Sequence, residues 1–157
     1  MRHTISLLVE NKFGVLARIA GLFSARGYNI ASLAVSETFD PSVSYMTIVV
    51  DARDEKILEQ VKKQLNKLID IITVTDFTKR EHVERELVLV KVSCAPKDKE
   101  KLEKLIAKYV AKIIQCKGNT AIIEAVDEQA KIAELLGALE KFGVKELVRT
   151  GKVAITH

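Results

Sequence analysis

The stretch NKFGVLARIAGLFSARGYNI, residues 11–30, decides the fold. Leu16, Ile19, Ala20 and Phe23 recur at i, i+3, i+4 and i+7, which predicts one apolar helical face. Asn11 stands where an N-cap belongs and Gly27 where a helix stops. Upstream, HTISLLV (3–9) reads as a short buried strand. Downstream, IASLAVSETF (30–39) alternates Ala31, Leu33 and Val35 against Ile30, Ser32, Ala34 and Ser36, and after the turn signal DPSVS comes the strand YMTIVV (45–50). DEKILEQVKKQLNKLI (54–69) repeats Ile57, Val61, Leu65 and Leu68 on one helical face, and IITVTDF closes a βαββαβ pattern.

The pattern then recurs. TKREHVERE, residues 78–86, breaks both periodicities and reads as a linker, bounded as 79–85. Beyond it come the strand LVLVKVSC, a helix over 97–113 with Leu102, Leu105, Ile106, Tyr109 and Val110 on one face, the strand IIQC, a turn at KGN and the strand TAIIEAV. A helix over 128–142 and the strand ELVRT follow, with KVAITH as an extra edge strand. The expected fold class is α+β, two tandem ferredoxin-like βαββαβ domains over 1–78 and 86–157, each an antiparallel sheet with both helices on one face. The open faces and edges call for a cover, which a second copy of the chain supplies naturally. Ala17, Gly21 and Ser24, small residues on the first helix, permit close approach either to helix 55–69 of the same domain, the simpler account, or to another subunit.

Composition excludes several classes. With 157 residues, 48% hydrophobic, 29% charged and 9 Gly plus Pro, most of the chain is expected to be folded. No apolar run approaches the ~20 residues of a membrane span, and a cytoplasmic protein is expected. Cys94, Cys116 and three scattered histidines (His3, His82, His157) offer no metal-ligand or Cys/His spacing, and both cysteines read as buried thiols. No phosphate-binding glycine loop and no GxSxG or HExxH motif is present, so no catalytic residue is assigned. Tyr45 is the single aromatic on the expected central strands, too few for base stacking, which argues against nucleic acid. The basic excess lies entirely in the second half, where residues 79–157 carry 16 basic and 12 acidic side chains.

What stands out is Gly14, expected inside the first turn of the helix that Asn11 caps. An Asn cap contributes about 1 kcal/mol and a helical Gly costs up to about 1 kcal/mol, so the two nearly cancel. Two readings stay open. Either strand and helix pack closely there, or the missing Cβ lets a carboxylate reach backbone N–H groups at the positive helix end. Asn29 is similarly either a turn residue or an amide for a polar head group.

NKFGVLARIAGLFSARGYNIASLAV resembles the ACT-domain signature of the small, regulatory subunits of acetolactate synthase (acetohydroxyacid synthase). The resemblance continues through DPSVSYMTIVV, LEQVKKQLNKLIDIITVTD, HVERELVLVKV and LVRTGKVAITH. It implies a non-catalytic subunit that binds and activates a catalytic large subunit and confers feedback inhibition by valine or a related branched-chain amino acid. It also implies a homodimer or higher homo-oligomer, with no cofactor in this chain and thiamine diphosphate, Mg2+ and FAD in the partner. Carried over by position, Asn11, Gly14, Val15 and Leu16 form one side of an effector pocket, and Asn29 and Ile30 of a facing subunit the other. Ala31, Ala34 and Tyr45 stand where the family pattern has Glu, Thr and Arg. The alternative is a free-standing ACT-type amino-acid sensor without an enzyme partner.

Overall fold

The computed structural model describes residues 2–51, 55–78 and 80–157; Asp54 of the expected second helix and Lys79 of the expected linker lie outside them. The chain forms two compact units, residues 1–83 with 152–157, and residues 84–151.

The first unit contains β1 (Arg2–Glu10), α1 (Val15–Ala25), β2 (Asn29–Glu37), β3 (Val43–Asp51), α2 (Glu55–Leu65) and β4 (Ile71–Asp76). Its antiparallel sheet has the order β2-β3-β1-β4, with β2 and β4 at the edges. Alternate residues of the central strands, Ile5, Leu7 and Val9 with Met46, Ile48 and Val50, are buried against the helices. Each such fully buried side chain contributes about 1.5–3 kcal/mol.

The helical faces differ from expectation. In α1 the buried residues are Val15, Ile19 and Phe23, while Leu16 turns outward. In α2 they are Leu58, Val61 and Leu65 rather than a stripe beginning at Ile57. The small residues Ala17, Gly21 and Ser24 are exposed, and a Cβ on Gly21 would meet nothing within 4 Å, so they do not serve packing against α2. A register shift between Ile30 and Ser32 breaks the expected alternation of β2, so Ile30 and Leu33 both pack on the core.

β9 (Val153–Thr156), the expected extra edge strand, pairs with the strand His82–Ser93 (β5), and its residues group with this unit. Its small Ala154 is buried between exposed Val153 and Ile155. The Tyr45 hydroxyl donates to Ala154 O at 2.8 Å, and Ala154 N–H to Thr47 Oγ1 at 3.4 Å.

The second unit holds most of β5 (His82–Ser93), then α3 (Lys99–Ile106), β6 (Ala111–Lys117), β7 (Thr120–Asp127), α4 (Gln129–Leu139) and β8 (Val144–Arg149). The order is β6-β7-β5-β8, again antiparallel, so both units are ferredoxin-like. Val88, Val90 and Val92 meet Leu102, Ile132, Leu135 and Leu139 in its core.

Two expectations fail here. The stretch assigned to the linker joins β5 from His82 onward, because charged side chains are tolerated on an extended backbone where alternate positions face solvent. The helix expected over 97–113 ends at Ile106, because Ala111 and Ile113 pair with β7 and pack inward at period two. Cys94 is buried, but Cys116, on edge strand β6, is exposed.

Candidate functional site

Where β1 runs into α1, the chain is pinned by its own backbone. Glu10 N–H donates to Asp70 O at 2.9 Å and Asn11 N–H to Ser42 O at 2.7 Å, tying the strand end to the α2–β4 joint and to the β2–β3 loop. A cavity of about 260 Å³ opens beside the helix start, with Val15, Val35 and Met46 as its apolar wall and Glu10, Asn11 and Glu37 on its polar side.

Asn11 is not the N-cap. Gly14 takes that position, in a left-handed conformation (φ 81°) with no side-chain cap bond. The Asn11 amide instead donates to Glu37 Oε1 at 3.0 Å and to Pro41 O at 2.8 Å, holding the β2–β3 loop. Both its N–H groups are thereby engaged, and no donor among the described residues reaches its oxygen. The first-turn amides of Leu16 and Ala17 likewise have no acceptor among the described residues.

Gly14 therefore sits before the helix rather than inside it, and the choice of glycine has two physical causes. Its φ is one that side chains rarely adopt, and a Cβ would lie 3.1 Å from Arg18 Nη1. That guanidinium donates twice to Asp70 Oδ2, from Nε at 3.0 Å and Nη2 at 2.7 Å, and Asp70 is only 7% exposed. Sequence reasoning missed both residues. The available signals were the i, i+4 spacing of Gly14 and Arg18 and the lone acid in LIDIITV. Nearby, a hydrogen bond to Glu10 raises the Lys12 pKa above its ordinary value, and Ser42, through side-chain and backbone hydrogen bonds, holds Asp40 below the usual carboxylate range.

Of the six residues expected at the effector pocket, the cavity is lined by Asn11, Val15 and Leu16 but not by Gly14, Asn29 or Ile30. Asn29 starts β2 and donates to Asp51 Oδ2 at 3.3 Å, whereas Glu37, beside Asn11, ends it. Eight residue steps, about 26 Å, separate the two ends. Around the cavity, Phe13 and Phe39 are fully exposed, and Leu16 (41%) and Val35 (43%) largely so. Among the described residues no cluster of three or more His, Cys, Asp or Glu side chains is placed to hold a metal, and no helix is long and apolar enough to cross a membrane.

The first unit, with its four-stranded sheet and ligand-sized corner at a helix start, is of the ACT class: a family model for the acetohydroxyacid synthase (AHAS) small subunit-like ACT domain matches residues 5–73. A model for the small subunit of acetolactate synthase matches residues 85–157. A probable acetolactate synthase small subunit of Archaeoglobus fulgidus is 46% identical over the whole chain, covering 98% of that relative. The acetolactate synthase small subunit of Bacillus subtilis is 40% identical, again over the whole chain and 91% of the relative. The crystal structure of the acetolactate synthase small subunit from Thermotoga maritima superposes with a TM-score of 0.89 at 36% identity, over 100% of this chain and 98% of that one. The chain belongs to the acetolactate synthase small-subunit family.

Proposed function

We propose that this chain is the regulatory subunit of acetolactate synthase in branched-chain amino acid biosynthesis. It binds and activates a thiamine-diphosphate-dependent catalytic subunit and confers feedback inhibition by valine held between two ACT units. The observation that carries this is a pocket half-built in one chain. Asn11, Val15 and Leu16 meet at the β1–α1 corner, while Asn29 and Ile30 stand at the far end of the exposed edge strand β2. Antiparallel pairing of β2 with β2 of a second copy, its twofold near Leu33, sets one copy's Asn29 opposite the other's Glu37 and brings the halves together. The exposed Phe13, Phe39, Leu16 and Val35, and the outward face of Ala17, Gly21 and Ser24, support such a pairing.

The residue chemistry suits an amino acid. The unpaired Leu16 and Ala17 amides at the positive helix end receive the carboxylate, the free oxygens of Asn11 and the partner copy's Asn29 accept from the ammonium, and Val15, Leu16 and Ile30 enclose the branched side chain. Thiamine diphosphate, Mg2+ and FAD belong to the catalytic partner in this reading. An allosteric coupling of about 1–3 kcal/mol between valine and the partner's active state suffices for feedback.

A complementation experiment tests the pocket. Asn11→Ala and Asn29→Ala chains are each expected to lose calorimetric L-valine binding. Mixed and refolded together they regain one intact site per heterodimer, because one interface then carries both asparagines. If Asn29→Ala binds like the unaltered chain, the shared pocket is wrong. Addition to the catalytic subunit, with and without valine, tests the regulatory role: no change in acetolactate formation alongside intact valine binding leaves the free-standing sensor.

A further inference from the structure

The corner at β1–α1 has a counterpart in the second unit. Ser93 N–H donates to Gly143 O at 3.0 Å and Cys94 N–H to Asn119 O at 2.8 Å. These bonds tie the end of β5 to the α4–β8 joint and to the β6–β7 turn, as Glu10 and Asn11 tie the end of β1 to Asp70 and Ser42. The same two pins, at the same points of the βαββαβ path, frame a larger cavity of about 600 Å³, within the range of small-molecule sites.

Its chemistry is cationic. Lys101 reaches it from the first turn of α3, Lys141 from the 3-10 turn that follows α4, and Lys145 from the start of β8; Asn119 and Phe142 complete the wall. Asp98 is the one acid lining it and is paired with Lys101 at 3.3 Å. Neither Lys141 nor Lys145 has an ion-pair partner among the described residues, so the cavity holds two uncompensated positive charges. Gly143, at φ 77°, turns the chain between them, and its carbonyl is held by the Ser93 N–H at 3.0 Å. The two lysines are thus delivered by a joint whose backbone is fixed before any ligand arrives. Lys141 Nζ lies 5.6 Å from the centre of the half-buried Phe142 ring, which braces it and leaves an apolar wall beside the charges.

We propose that this second corner binds a small polyanion with a carbon skeleton or phosphate chain short enough for the cavity. Two free ammonium groups at the mouth draw the charges, the Asn119 amide and Ser93 hydroxyl supply neutral donors, and the Phe142 ring meets the ligand's uncharged part. The site is independent of what the first corner binds.

Calorimetric titration of the full chain with pyrophosphate and, separately, citrate at low ionic strength tests the proposal and distinguishes phosphate from carboxylate ligands. Saturable binding of at least one anion is expected, weakening as salt rises. The Lys141→Gln/Lys145→Gln variant should lose at least about tenfold in affinity, the scale of one or two charge-assisted contacts. Lys63→Gln/Lys108→Gln, which removes two exposed lysines outside the cavity, should bind as the unaltered chain does. No saturable heat with either anion at millimolar concentration, or equal weakening by both double variants, overturns the proposal. Circular dichroism and thermal melting confirm that each variant is folded.

Discussion

The two corners share their backbone and differ in their side chains. At the first, a glycine with positive φ begins the helix, Arg18 folds back over it and the α2–β4 joint contributes an acid, Asp70, which that arginine neutralises. At the second, Pro96 opens a 3-10 turn into α3, and the α4–β8 joint and the start of β8 contribute Lys141 and Lys145, neither ion-paired among the described residues. The architecture decides where a concave corner forms, and the residues on one joint decide its charge. The same topology therefore offers a nearly neutral, partly apolar pocket in one unit and a cationic one in the other, and ligand class has to be read from the joints.

That contrast can be broken at its ion pairs first. Arg149 holds the buried Glu86 (2% exposed) with two separate bonds of 2.7 Å, one to each oxygen, and Glu86 raises the Arg149 pKa further. Stranding a buried charge costs several kcal/mol, so Arg149→Ala is expected to cost about 3 kcal/mol in urea unfolding, with the arginine's own exposure keeping it at the lower end. Arg18→Ala should cost less, about 1–2 kcal/mol, since Arg18 reaches one oxygen of Asp70 and is half exposed. Equal losses would mean that the two units do not differ in how strongly they depend on their buried ion pairs.

Gly14→Ala is expected to cost about 1–2 kcal/mol from the left-handed backbone alone, with Arg18 displaced in addition. An unchanged melting temperature would return the glycine to a purely ligand-related role. Tyr45→Phe should cost about 1 kcal/mol and speed amide exchange at residues 153–156, leaving the core of the second unit as it was. The smallest effect is in acid. Burial pushes the Asp76 carboxyl up, but hydrogen bonds from Thr78 and the Lys62 ammonium outweigh it and hold it below its usual value. Its contribution is thus present above the ordinary carboxylate pKa and is lost as pH falls through the lowered folded value. Below about pH 4 the first unit should weaken, and Asp76→Asn should remove that part of the pH dependence.

Much of the fold was legible because its signals are local. β1, β3, β4, β5 and β7 carry runs or alternations that no helix would accept, and the two-fold recurrence of βαββαβ follows from their order. What could not be read were competitions settled by tertiary pairing. Tyr109 and Val110 continue a helical stripe, yet Ala111 and Ile113 just beyond them gain more by pairing with β7. The β2 bulge moved Ile30 and Leu33 to one side without any glycine or proline to announce it. At the candidate site, Asn11, Val15 and Leu16 were grouped through the family resemblance, and all three line the cavity beside the helix start. Arg18 and Asp70 were not legible, being 52 residues apart in sequence. Asn11 misled because an asparagine just before a helix resembles a cap, whereas its partners, Glu37 and Pro41, lie at the β2–β3 loop. Tyr45 was noticed as the single aromatic on the expected central strands and as a departure from the family pattern, but its role depends on Ala154, 109 residues away.

The return of residues 152–157 to the first unit sets an order of events during synthesis. A nascent chain that has made β1 through β4 still lacks the strand that receives the Tyr45 hydroxyl, and the 68 residues of 84–151 must be translated before it arrives. At about 5–20 residues per second that is a delay of roughly 3–14 s, long compared with the folding of most small domains. Of the two units, the one begun earlier on the ribosome is thus completed later, six residues after the other.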